Sequence, residues 1–130
     1  MGNSLMAQLH QESLPSKDDN RMMVREFQGF MIYIGKNSQT NEKLVTTHPH
    51  RDCLWIHAAG ARGSHVVICR NGMQVEFTDD AIRYAGALAL QYSKSTLRSI
   101  FFTLLENVIK LPHASTGSFF PTKQTQVEIV

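Results

Sequence analysis

The chain predicts an α+β domain in which a mainly antiparallel sheet carries one principal helix at about 79 to 93 and a shorter one at about 40 to 47. Three observations predict it. Short β-branched and aromatic runs recur between glycine and asparagine turns at Phe30–Ile34, Cys53–His57 and Ser64–Cys69. A single long stretch, Ala81 to Tyr92, carries apolar residues at three- and four-residue spacing. The tail from Thr125 to Ile129 alternates apolar and polar side chains as a half-buried strand does.

Residues 1 to about 20 are polar and non-periodic, with Pro15 and the cluster Lys17-Asp18-Asp19-Asn20, and are expected to form a flexible leader to a single domain over 21–130. Val24–Phe27 and Phe30–Ile34 flank Gln28-Gly29, a hairpin whose second strand is apolar on both faces and therefore central. The polar stretch Gly35 to Asn41 supplies cap residues for the short helix, which His48-Pro49 terminates. Two strands follow, 52–57 and 64–69, joined through a loop that contains Gly60 and Gly63. Asn71-Gly72 marks a turn, and Thr78-Asp79-Asp80 is an N-cap with two acids in the first helical turn, where the helix dipole favours them. Small Ala85, Gly86, Ala87 and Ala89 let that helix approach a sheet closely. The segment 98–111 fits a helix face or a strand equally. The run 116–121 with 125–130 is expected to close the domain as a hairpin.

Composition bounds the class of molecule. A chain of 130 residues with 42% hydrophobic and 18% charged residues buries an ordinary core. Its longest apolar runs fall far short of the ~20 residues of a membrane span, and its first residues lack the pattern of a secretory signal, so a soluble cytoplasmic protein without membrane contact is expected. Two cysteines, Cys53 and Cys69, suggest reduced thiols rather than a disulfide scaffold.

The net charge of +2 is unevenly spread. Between His48 and Arg70 lie Arg51, Arg62 and Arg70 with His48, His50, His57 and His65, against the single acid Asp52. A basic, histidine-bearing loop face attracts phosphates locally. Alternation on 52–57 puts Cys53, Trp55 and His57 on one face and Asp52, Leu54 and Ile56 on the other. Leu54 and Ile56 seek the core. Trp55 with His57 is then either a stacking platform for an unpaired base or a packed indole beside a satisfied imidazole. Gly60 and Gly63 around Arg62, with Ser64 and His65 following, either admit a phosphate to the backbone or simply turn the chain. No Walker-type or dinucleotide-binding glycine pattern occurs. The histidines match no standard zinc spacing, so no metal and no cofactor is expected. Cys53 as a nucleophile with a histidine base is a weaker alternative.

The series Gly35-Lys36-Asn37-Ser38-Gln39-Thr40-Asn41, Asp52-Cys53-Leu54-Trp55-Ile56-His57, Gly63-Ser64-His65-Val66-Val67-Ile68 and Ala81 through Ser93 resembles the NFACT-R family over about Val24 to Val130. This is the RNA-binding module of NEMF-type ribosome quality-control proteins, also seen alone. The family's Gly-Arg-Asn is met with Lys36, its Asp-x-Trp-x-His is spaced as Asp52-x-x-Trp55-x-His57, and Leu111 and His113 stand where relatives are usually basic. The resemblance implies a strand at 99–105 and an RNA partner, tRNA or rRNA, with a ribosome or an RNA-modification partner in the background. It implies contacts to phosphates from Lys36, Arg51, Arg62, Arg70 and Lys110. Asn37, Asn41, His57, Ser64 and His65 would meet sugar or base; Asp52 and Gly63 complete the expected site, and Trp55 stacks or supports it. The peptide-tailing activity of full-length quality-control factors is not implied, since neither their N-terminal domain nor their coiled coil is recognisable here. A tRNA-thiolation enzyme or accessory factor and a ribosome-docking protein module are the alternative readings.

Overall fold

The computed structural model describes residues 22–49 and 51–129, so the expected leader and His50 lie outside the described residues. The strands are β1 (Met23–Phe27), β2 (Phe30–Ile34), β3 (Cys53–Ala58), β4 (Val66–Cys69), β5 (Ser99–Leu104), β6 (Val108–Ile109), β7 (Phe120–Pro121) and β8 (Thr125–Glu128). The helices are α1 (Ser38–Thr47) and α2 (Asp79–Gln91), with a single 3-10 turn at Leu105–Asn107. Six strands form one antiparallel sheet in the order β1-β2-β4-β3-β5-β8, and β6 with β7 forms a small second ribbon. The architecture is α+β.

The β1–β2 turn puts both Gln28 (φ 54°) and Gly29 (φ 87°) in the left-handed region, the conformation whose twist suits a two-residue hairpin. β2 is bonded on both sides, and its apolar run serves both faces, Phe30, Ile32 and Ile34 entering one core and Tyr33 packing against the other. α2 begins where Thr78 accepts from the Ala81 N–H and ends near Tyr92. Its Ala81, Ala85 and Ala89 are fully buried against one sheet face with Phe30, Ile32, Ile34, Leu54, Ile56, Val66, Ile68 and Ile100. Small side chains let the helix axis come close enough for those branched residues to fill the gap.

The opposite face holds a second core of Leu44, Val45, Cys53, Trp55, Val67, Cys69, Leu105 and Val108, covered by α1 and by the chain after β5. The sheet is therefore buried on both sides at its centre, and the two residue sets of β3 go to different cores, Leu54 and Ile56 to one, Cys53 and Trp55 to the other.

Two expectations are corrected. Cys53 and Cys69, directly opposite on β3 and β4, are joined as a disulfide with Cα atoms 4.2 Å apart rather than standing as separate thiols; that is the close separation of a non-hydrogen-bonded cross-strand pair. The terminal hairpin does not form. β8 pairs with β5, and β7 pairs with β6, because the alternating residues Val127 and Ile129 reach the α2 core only from the β5 edge. The segment left open by its pattern is strand through Leu104 and then turns.

Candidate nucleic-acid interface

The segment Gly35 to Asn41 is a helix start built from side chains. Asn37 caps α1, its Oδ1 accepting from the Thr40 N–H at 2.8 Å, while the buried Thr40 hydroxyl accepts from the backbone N–H groups of Lys36 (2.7 Å) and Asn37 (2.9 Å). A reciprocal cap of this kind satisfies orphan donors at the first turn. One turn on, Asn41 Oδ1 accepts the backbone N–H of His65 at 3.2 Å, which ties α1 to the entry of β4. Gly35 is required by this contact, since a Cβ there would lie 1.9 Å from Asn41 Oδ1.

His65 is the centre of an aromatic cluster. The Trp55 indole N–H donates to its Nδ1 at 2.9 Å, the Trp55 ring stacks near-parallel to His57 at 5.6 Å, and His57 meets His65 edge-on at 4.9 Å. Phe119 closes the other side, its ring 6.1 Å from that of His65. Burial holds the His65 imidazole neutral, with its pKa pushed down to about 3, the neighbouring His57 adding to the effect. Burial also lowers His57, against backbone hydrogen bonds with Ala58 and Gly63 that favour its protonated form.

This cluster floors a cleft of about 920 Å³. One wall is the start of α1 (Lys36 to Gln39 and Asn41), the second is Ala61 to Ser64 with Tyr92, and the third is the loop Ser115 to Phe119. Glu42 holds that third wall in place. Its Oε1 accepts both the Gly117 N–H at 2.7 Å and the Lys110 ammonium at 2.5 Å, bonds that lower the Glu42 pKa below the usual carboxylate range. Lys110 in turn lies 5.3 Å from the Phe119 ring centre. Gly117, at φ 81°, sits so near the α1 backbone that a Cβ would approach Ser38 O to 2.7 Å. No acidic side chain of a described residue lines the cleft, whereas Lys36 and Arg62 do.

The structure thus brings together Lys36, Asn37, Asn41, His57, Arg62, Gly63, Ser64 and His65. Gly63 bridges to Ser93, where a Cβ would meet the Ser93 side chain at 2.7 Å, so its lack of a side chain serves packing. Trp55 is 3% exposed and supports His65 from below, which rules out an open stacking surface on its own ring. Lys110 stands just behind the third wall.

Arg51, Asp52 and Arg70 are elsewhere. They sit at the far ends of β3 and β4, five to six residues along the chain from His57 and His65, or about 17–20 Å at a strand's rise. There Arg70 is engaged by Asp52 (3.7 Å), Glu76 (3.6 Å), the carbonyl of Val75 and the face of Phe77. The arginine stretch of the sequence is therefore split between two ends of the sheet. Cys53, bonded to Cys69 and buried, has no thiolate to offer as a nucleophile. Sequence reasoning passed over Gln39, Tyr92, Glu42 and the 115–119 wall; Phe119 and the glycine of Ser115-Thr116-Gly117-Ser118 were the available signals.

The architecture is an α+β domain whose antiparallel sheet is covered by α2 on one face and α1 on the other, with a polar, donor-lined cleft where the start of α1 meets a histidine strand. The comparisons give its family: the one described as NFACT protein RNA binding domain matches residues 21–123, and the chain belongs to that family. Among curated proteins it is similar to the Rqc2 homolog RqcH of Bacillus subtilis (strain 168), 34% identical over 92 residues, which is 68% of this chain and 15% of that protein. The Rqc2 homolog RqcH of Streptococcus pneumoniae (serotype 2, strain D39) is 32% identical over 87 residues, 67% of this chain and 15% of that protein. The chain therefore spans about 15% of the length of the curated relatives it matches. In fold it is similar to the C-terminal part of the fibronectin/fibrinogen-binding protein from Streptococcus suis, with a TM-score of 0.72 at 24% identity over 92% of this chain and 49% of that one. Among the described residues, no helix is long and apolar enough to cross a membrane.

Proposed function

We propose that this chain binds RNA, a tRNA or an rRNA, through the cleft between the start of α1, the Ala61–Ser64 loop and the Ser115–Phe119 wall, and that it does so in the setting of ribosome quality control. The observation that supports this most is the lining itself: amides, hydroxyls and a neutral imidazole on the inside, Lys36 and Arg62 among the lining side chains, and no carboxylate among the described residues. Phosphates are held by cations and neutral donors, and bases by donors and flat rings. Lys36 and Arg62 take phosphates; Asn37, Asn41, Ser64 and His65 take sugar or base. Asp52 and Arg70 are assigned to stability instead, because they pair with each other and Arg70 also meets Glu76; Arg51 lies outside the cleft lining.

A salt titration tests the assignment. With two phosphate contacts the logarithm of the affinity for single-stranded RNA falls against log salt with a slope of about −1.4. Lys36→Ala and Arg62→Ala each flatten that slope by about 0.7, and Arg51→Ala leaves it unchanged. A slope that responds to Arg51→Ala and not to Lys36→Ala contradicts the proposal.

A further inference from the structure

The cleft has a polarity fixed by its own hydrogen bonds. Trp55 Nε1–H can only donate, so His65 Nδ1 must accept, and a neutral His65 carries its proton on Nε2. No described residue partners that Nε2–H; His65 as a residue is 95% buried, and this atom keeps an opening onto the cleft it lines. The two asparagines are oriented in the same way. Backbone N–H groups hold Asn37 Oδ1 and Asn41 Oδ1, which leaves both NH₂ groups as the ends available to a ligand. Three neutral groups on the floor and helix wall therefore present donors, and none can reverse without breaking a bond to a group that only donates.

We infer that this donor-only set makes the cleft selective for an unpaired keto base, uracil or guanine, with His65 Nε2–H as the specificity-determining contact. The inference rests on the RNA-binding reading above. Uracil presents O4, and guanine O6, as an acceptor at the position where cytosine and adenine carry an amino group. An amino group facing His65 would set donor against donor and leave both unpaired in a buried place. The rings of His57 and Phe119 stand steeply to that of His65 and line the same cleft, a setting that suits a planar base rather than a second phosphate.

Fluorescence anisotropy of the full chain with labelled oligouridylate and oligocytidylate of equal length reads the effect directly. Oligouridylate binds about tenfold more tightly, and Trp55→Phe, which frees His65 to take either tautomer, brings the ratio towards one with the thermal transition still cooperative. Equal binding of the two by the unaltered chain, both weakened by Lys36→Ala, overturns the selectivity and leaves the RNA reading standing. A uracil preference that survives Trp55→Phe in a folded protein overturns the role of His65. No binding of either oligonucleotide, or of any structured RNA, overturns both readings together.

Discussion

The two ends of the β3–β4 pair carry similar chemistry in sequence and opposite chemistry in space. At one end Arg70 is enclosed by Asp52, Glu76 and Phe77, and its charge is consumed inside the protein. At the other, burial favours the neutral form of His57 and His65, Trp55 and Asn41 fix His65 while the Ala58 carbonyl meets His57, and Lys36 and Arg62 line a cleft with no acid among the described residues. What separates the two ends is placement: Arg70 is drawn into ion pairs at the strand ends, whereas Lys36 and Arg62 line the cleft. Counting basic residues from Arg51 to Arg70 does not distinguish the two ends, because that stretch runs from one end of the strand pair to the other and back.

The largest expected break in this comparison comes from acid. An unfolded histidine titrates near 6.5, whereas His65 in the fold titrates near 3, so the unfolded state binds the extra proton first. Stability held above pH 6.5 is lost progressively as the pH falls towards 3, on the order of 3 kcal/mol by pH 4 at about 1.4 kcal/mol per unit. Urea unfolding at pH 7 and pH 4 checks this, with His65→Gln expected to remove most of the histidine part of the loss. Next is Gly35→Ala. Its Cβ displaces the Asn41 amide from the His65 N–H, and leaving that part-buried donor without its partner costs about 1–3 kcal/mol; chemical denaturation and RNA affinity should fall together. Arg70→Ala costs about 1 kcal/mol of stability, through lost packing on Phe77 and partly exposed ion pairs, with RNA affinity at fixed salt unaltered. The smallest effect is at Glu42. Its lowered pKa contributes stability above about pH 4.5 that disappears as the pH falls through the folded value, and Glu42→Gln should loosen the Gly117 wall enough to weaken RNA binding a few-fold at pH 7.

Much of the fold was legible because local signals and tertiary needs agreed. The Gln28-Gly29 turn, the alternation on β3, the Thr78 cap and the small face of α2 each point to the structure they form. The start of α1 was legible to within a few residues, displaced because Asn37 rather than a later residue is the cap. What failed depended on partners distant in the chain. β8 could be recognised as a strand, yet nothing near Thr125 says that it pairs with β5 rather than with 116–121. The cysteines were read by number alone, whereas their pairing follows from β3–β4 register, which places Cys53 opposite Cys69. In the candidate site, the strand and cap residues were visible as motifs, but the third wall was not: Glu42 meets Gly117 across 75 residues of sequence. Trp55 divided the two readings offered for it, because alternation gives its face and only packing gives its burial.

The central claim is that RNA is held at the histidine end and not at the Arg70 end. Ultraviolet cross-linking of the chain to a bound 4-thiouridine-containing RNA, with the attached peptides identified by mass spectrometry, tests it most directly. The account predicts adducts in the peptides bearing Lys36 to Asn41, Arg62 to His65 and Ser115 to Phe119; adducts concentrated on Arg51, Asp52 and the Arg70 to Phe77 segment would contradict it.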